Sequence, residues 1–344
     1  MNPMPTSTMV EMLTPIWRRL LQRPSVEVED NFFDLGGDSS LALQLFNEIA
    51  VACGRELPPV TIYVAPTIAA LAAVLEEPEE IRLPPLVLLK DGAEQPPLFV
   101  THGLGGSVID FFQVVKHIRT SHPIQGMQSR GIDGTEEPFD RIEDMAEFHL
   151  DAIRKVQPHG PYVLVGYSLG GLVTFEMAQR LVASGEKVAL LAMLDSYPDI
   201  RYLSLAQRAL LVTRLTTRRA ATAMKLPAGE AFSLIVRPSR RRSTAPKVSY
   251  QLPVDVTLSP AMQRARERAY LALTRYKPRF YPGKIRFVRA ENPTDFPADP
   301  AAVWAHLAEK FEVETVPGDH LEIMSTHYEK LASVLSRYVE EALR

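Results

Sequence analysis

The sequence predicts two domains of different class: a small all-helical unit first, then a larger α/β unit with a mostly parallel sheet covered by helices on both faces. Three observations carry this. Over about the first 75 positions, apolar residues recur only at helical spacing. A charged, Pro-rich string without periodicity, EEPEEIRLPP, then breaks the pattern. Beyond it, short apolar runs alternate with amphipathic helical segments, as a parallel sheet covered on both sides requires.

In the first unit, Val10, Leu13, Ile16, Trp17, Leu20 and Leu21 line one helical face, and Pro24 ends the segment. Leu41, Leu45, Phe46 and Ile49 mark a second helix, and Ile68, Leu71, Ala72 and Leu75 a third. We place this domain at residues 1–77 and a linker at 78–95. The α/β domain, 96–344, takes strands at 98–100, 162–165, 188–194, 285–288 and 311–316. Its main helices are expected at 142–156, 169–182 and 328–343. The stretch at about 200–258 interrupts the alternation with helical pieces and an Arg-rich turn, and reads as an inserted lid.

Composition narrows the class. The 344 residues are 46% hydrophobic and 23% charged, as in an ordinary globular protein. A net charge of −3 gives no general attraction to nucleic acid or membrane. The start, MNPMPTSTMV, has neither a basic leader nor an apolar core. The longest apolar run, Val188 to Leu194, falls far short of the roughly 20 residues that span a bilayer. The single cysteine, Cys53, excludes an intrachain disulfide and reads as core packing. The expectation is a cytoplasmic protein with no nucleic-acid or membrane partner and no metal.

Two short strings carry the chemistry. In the first, Leu35-Gly36-Gly37-Asp38-Ser39, two glycines permit a tight, closely approachable loop, and Ser39 opens the helix containing Leu41, Leu45 and Ile49. A phosphate on Ser39 meets unpaired N–H groups and the positive end of the helix dipole. The plainer alternative is that Ser39 is a helix cap. The second string, Gly166-Tyr167-Ser168-Leu169-Gly170, lies between a strand-like and a helical run. A serine hydroxyl is a poor nucleophile until it is exposed, oriented and deprotonated during attack, and a sharp strand-to-helix turn exposes it. A base and an acid are then expected further along, in the order Ser, Asp, His. Asp195 ends the next strand and His320 follows the last one, both at the edge where an open parallel sheet presents its ligand site. Asp199 and Asp319 are the competing acids, and a turn cap is the plainer role for Asp195. For the oxyanion, Leu169 N–H is the first donor, and Leu104 N–H, in the loop after residues 98–100, is nominated as the second. His102 reads as a hydrogen-bonding residue of that loop, with a second base as the alternative.

The string Asp30-Asn31-Phe32-Phe33-Asp34-Leu35-Gly36-Gly37-Asp38-Ser39 resembles the carrier proteins of nonribosomal peptide synthetases, whose pattern D-x-F-F-x-L-G-G-x-S it matches at every named position. The resemblance covers about residues 8–76 and includes Ala65-Pro66-Thr67. It implies a small four-helix carrier domain with 4'-phosphopantetheine attached covalently to Ser39, and a phosphopantetheinyl transferase as partner. From about Leu98 onward the chain resembles the thioesterase domains that terminate peptide and polyketide synthases, an α/β-hydrolase family, through GYSLGG, LDSYP and GDH in that order. This implies Ser168, His320 and Asp195 as nucleophile, base and orienting acid, with the insertion as the variable lid.

Together the resemblances imply release of an acyl or peptidyl chain from the carrier's own arm through an acyl-Ser168 ester, by hydrolysis. The alternatives are macrocyclisation or transfer to an amine by the same triad, and, in another class, a non-catalytic carrier and docking module with the hydrolase domain as scaffold. No adenylation or condensation segment is read, so upstream adenylation, condensation or acyl-loading proteins are expected as partners. Charge adds one further expectation. Residues 25–80 carry eleven acids against Arg55 alone, and residues 201–247 eleven bases against Glu230 alone. Either these are two solvated faces, or a basic lid guides an acidic carrier.

Overall fold

The computed structural model describes residues 6–77, 82–223, 259–292 and 299–344. The N-terminal unit is four helices: α1 (Thr6–Leu20), α2 (Ser39–Cys53), α3 (Thr61–Val64) and α4 (Ile68–Glu76). Their apolar stripes close around Trp17, Phe32, Leu45 and Ile49, all fully buried, with Trp17 edge-on to Phe32 at 5.2 Å. Local chemistry sets the helix ends. Asp38 accepts the Leu41 N–H at 2.8 Å to start α2, and Gly54, with φ 73°, ends it. Thr67 accepts the Ala70 N–H at 3.1 Å to start α4.

In the α/β unit, strands β1 (Leu86–Lys90), β2 (Leu98–Thr101), β3 (Ile124–Met127), β4 (Tyr162–Tyr167), β5 (Val188–Leu194), β6 (Tyr281–Ala290) and β7 (Ala308–Val316) form one sheet. Their order is β1-β3-β2-β4-β5-β6-β7. β1 is antiparallel to β3, and the remaining neighbours are parallel. β2 and β4 are buried at every position, so they read as continuous apolar runs rather than alternating ones. The longer helices are α5 (Phe112–His117), α6 (Ile142–Val156), α7 (Leu169–Ala183), α8 (Leu205–Ala223), α9 (Pro260–Arg275) and α10 (Tyr328–Leu343), and two four-residue turns of helix lie at Ala301–Trp304 and Glu322–Ser325. One core packs α6, α7 and α9 on one face of the sheet; a second packs α5 and α10 on the other.

The expected α/β architecture is present, with additions. β1 falls inside the segment read as linker, because LVLLK is an edge strand with no clean alternation of burial. β3, IQGM, escapes a propensity reading because it holds a glycine. A Cβ on Gly126 would stand 2.8 Å from a Val108 methyl, so close packing excludes a side chain there. The stretch read as an inserted lid is described only as far as α8; Arg240, Arg241 and Arg242 lie outside the described residues, as do Lys225, Arg237 and Lys247.

The helical unit rests on the start of the α/β unit through aromatic groups. Phe33 stacks on Phe112 at 4.8 Å with 25° between planes, and Tyr63 lies 4.9 Å from Phe33. Ile109 of the α/β unit is buried within the helical unit's own core. No described helix is long and apolar enough to cross a membrane.

Candidate active site

Between the end of β4 and the start of α7 stands one residue, Ser168. Its backbone, at φ 55° and ψ −118°, lies where L-residues rarely go, a conformation costing about 1–3 kcal/mol unless its surroundings impose it. They do. The Ser168 N–H donates to Leu194 O at 2.9 Å, and its carbonyl accepts the Ser196 hydroxyl at 2.6 Å. A Cβ on Gly166 would stand 2.3 Å from Gly170 O, and one on Gly170 would stand 2.4 Å from His102 O. Both obstacles are backbone and cannot rotate away, so the turn closes only with glycine at both positions.

Asp195 directly follows β5, also at positive φ (44°), and its N–H donates to Val288 O at 2.7 Å. Its carboxylate makes long-range bonds. Oδ1 accepts the Ala290 N–H at 3.2 Å, and Oδ2 lies 2.8 Å from His320 Nδ1. His320 Nε2 in turn faces Ser168 Oγ at 3.1 Å. With Nδ1 donating to the carboxylate, Nε2 of the neutral ring holds the lone pair and accepts from the hydroxyl. Ser168, Asp195 and His320 are 8%, 1% and 5% exposed, so water competes little for these bonds. The neighbouring Tyr197 phenol is held above its ordinary range, first by burial and then by the Asp195 charge.

The rival acids are engaged elsewhere. Asp319 Oδ1 accepts the Leu321 and Glu322 N–H groups at 2.9 and 3.0 Å. Asp199 Oδ1 accepts from the Arg201 backbone and guanidinium at 2.9 and 2.8 Å. Both therefore tie down local turns.

Leu169 is the first residue of α7, where helix N–H groups lack intrahelical partners. Leu104 follows Gly103, whose added Cβ would stand 3.4 Å from Ser168 Cβ, so this loop borders the serine. Among the described residues neither the Leu169 nor the Leu104 N–H has a hydrogen-bond acceptor. His102 Nδ1 lies 2.6 Å from Gly103 O. Burial pushes His102 down to about 4, and burial together with His102 pushes His149 on α6 down to about 3. Both rings are neutral near pH 7, and His102 serves the loop as a donor. Sequence reasoning passed over Ser196, although it adjoins Asp195. Gly171 exists to admit it, since a Cβ there would stand 2.4 Å from Ser196 Oγ.

The second serine, Ser39, is the first residue of α2, far simpler in setting. Gly36 sits at φ 101° with nothing within 4 Å of where its Cβ would be, and a Cβ on Gly37 would stand 2.6 Å from Phe32 O. The helix cap is Asp38, so the capping role weighed for Ser39 is already filled. An open loop at the start of a 15-residue helix fits a phosphodiester.

Residues 96–339 match the thioesterase domain family, and residues 12–75 match the phosphopantetheine attachment site family. A dimodular nonribosomal peptide synthase of Bacillus subtilis (strain 168) is 42% identical over 196 residues, 57% of this chain and 8% of that one. Malpibaldin synthetase of Mortierella alpina is 38% identical over 54% of this chain and 3% of its own length. Indigoidine synthase of Dickeya dadantii (strain 3937) is 36% identical over 55% and 13%. The chain thus spans a small fraction of each relative. Among solved structures, a four-domain holo nonribosomal peptide synthetase bound to AMP and glycine shares the fold at TM-score 0.59 and 24% identity, over 98% of this chain and 26% of that one. The type II thioesterase from the borrelidin biosynthetic cluster shares it at TM-score 0.53 and 17% identity, over 74% and 97%.

Proposed function

We propose, for a chain that belongs to the thioesterase domain family and carries a phosphopantetheine attachment domain ahead of it, that the hydrolase half releases an acyl or peptidyl chain from the carrier half in nonribosomal peptide biosynthesis, or in a hybrid polyketide pathway. Ser39 is the attachment residue, with Gly36 facing open space in its loop and Gly37 letting the loop pack on Phe32. When bound, phosphopantetheine presents the acyl group as a thioester, a more reactive ester with a good leaving group. Ser168 Oγ attacks the thioester carbonyl carbon while His320 Nε2 takes the hydroxyl proton. Asp195 holds the ring through Nδ1 and stabilises the imidazolium. The Leu169 and Leu104 N–H groups receive the oxyanion, an interaction typically worth about 10²- to 10³-fold per donor. His320 returns its proton to the departing sulfur, leaving an acyl-Ser168 ester. The same histidine then draws a proton from water, which attacks the ester carbonyl, and returns that proton to Ser168 Oγ as the acid leaves.

The observation that carries this reading is the unbroken line from Asp195 Oδ2 through His320 to Ser168 Oγ, at 2.8 and 3.1 Å. Delivery within the chain is supported by the aromatic seam of Phe33 on Phe112, which seats the carrier against the helix after the oxyanion loop. A phosphopantetheinyl transferase and upstream adenylation, condensation or acyl-loading proteins supply the charged carrier.

Intact mass spectrometry of the chain, treated with such a transferase and acyl-coenzyme A donors, tests it. The acyl mass should appear on Ser39 and decay, with the free acid accumulating. In Ser168→Ala the decay should slow by about 10⁴-fold or more. Decay in Ser168→Ala at the wild-type rate would overturn the reading, and a product lighter by one water would replace hydrolysis with cyclisation.

A further inference from the structure

Tyr167, the residue just before the serine of the nucleophile turn, touches both sides of the site. It is the last residue of β4 and is 5% exposed. Its ring lies nearly parallel to the His320 imidazole, with centroids 4.9 Å apart and 23° between planes. Its hydroxyl donates to the His320 backbone carbonyl at 2.7 Å. Against the same ring packs Gly103, where a Cβ would stand 3.1 and 3.2 Å from Tyr167 Cδ1 and Cε1. Phe111 closes the edge at 6.5 Å and 85°.

These contacts join two distant parts of the chain. The loop carrying His320 follows β7, and the loop carrying Gly103 and Leu104 follows β2, four strands away in the sheet order. Each must keep its distance from Ser168 to within a fraction of an ångström. The backbone at Ser168 is clamped, so the side chain one residue earlier is held rigidly too. We propose that Tyr167 is a positioning residue, which sets His320 and the Gly103–Leu104 peptide at working distance on either side of the nucleophile. The inference rests on the reading of Ser168 and His320 given above.

Two parts of the side chain do different work. The hydroxyl satisfies a buried carbonyl on the base's own residue and so fixes where its backbone sits. The ring face lies under an imidazole that becomes cationic during attack, and an aromatic face favours that cation. At the Nδ1 edge of the same imidazole lies the Asp195 carboxylate, 2.8 Å away.

The test is kinetic and uses the whole chain with a small soluble thioester. Tyr167→Phe keeps the ring and should lower kcat about tenfold with KM and the acid limb of the pH profile unchanged. Tyr167→Leu also removes the aromatic face. It should lower kcat about a hundredfold and move that limb by about half a pH unit toward acid, because the imidazolium loses its support. Wild-type kcat in Tyr167→Phe, or an unmoved limb in Tyr167→Leu, overturns the proposal. Ser168→Ala separates the two ideas: if it retains turnover, the assigned nucleophile falls, whatever the Tyr167 variants do.

Discussion

The two serine-bearing turns are opposite solutions to one problem, how to start a helix with a reactive residue. At Ser39 the turn is relaxed. Asp38, in extended conformation at φ −136°, caps α2, and Gly36, two residues earlier, faces open space. At Ser168 the turn is strained, uncapped and enclosed by backbone from β2, β5 and α7. A site that a modifying enzyme must reach needs access and little else. A nucleophile needs a fixed direction, and direction comes from packing on every side.

The comparison predicts unequal sensitivity. Gly170→Ala drives a methyl into the Thr101 and His102 carbonyls. It should abolish labelling of Ser168 by a fluorophosphonate, at least about a thousandfold in rate, while Ser39 is still modified. Wild-type labelling in Gly170→Ala would mean that the turn is not held as tightly as its contacts indicate.

Acid should separate the halves next. All eight histidines follow residue 101, and His102 and His149 lie neutral behind the nucleophile turn. Their folded values are lowered, so between about pH 6.5 and 4 the unfolded chain binds more protons than the folded one. Hydrolase stability therefore falls below pH 6.5 by about 1.4 kcal/mol per pH unit for each histidine, offset below about pH 6 by Asp110, whose carboxyl is pushed up to about 6 by desolvation, so that the folded chain takes up a proton the unfolded one does not. Trp304 reports this half and Trp17 the carrier half. The urea midpoint read from Trp304 in a Trp17→Phe background should fall from pH 6.5 to 5, and the fall should largely disappear in His149→Leu, where His102 and Asp110 oppose each other. A midpoint flat across that range, or a slope untouched by His149→Leu, would count against the buried pair.

The smallest effect belongs to the relaxed turn. Asp38→Ala removes one cap, about 1 kcal/mol, and should lower the carrier midpoint while turnover of a soluble thioester is unaltered. A change in that turnover would show the two turns to be coupled.

Legibility followed the same division. The helices at 142–156 and 328–343 and the strand at 188–194 were read with the bounds the structure has, because each is long or strongly apolar. β1 and β3 were not. One lies at the sheet edge and the other gives up a side chain at Gly126 to packing. Ser168, Asp195 and His320 could be nominated because each follows a strand, with Asp199 and Asp319 as rival acids. Tyr167 and Ser196 carried no separate signal, since their importance lies in what surrounds them.

The order of helices, the alternation of strand and helix, and the identity of the two serines were therefore determined by local pattern, through propensity, periodicity and the need for glycine where backbone meets backbone. Tertiary structure alone decided which aspartate faces the imidazole, which tyrosine braces it, and how the carrier leans on the hydrolase. The contacts at the imidazole join residues more than a hundred positions apart, and only the assembled sheet brings them within reach of a hydrogen bond.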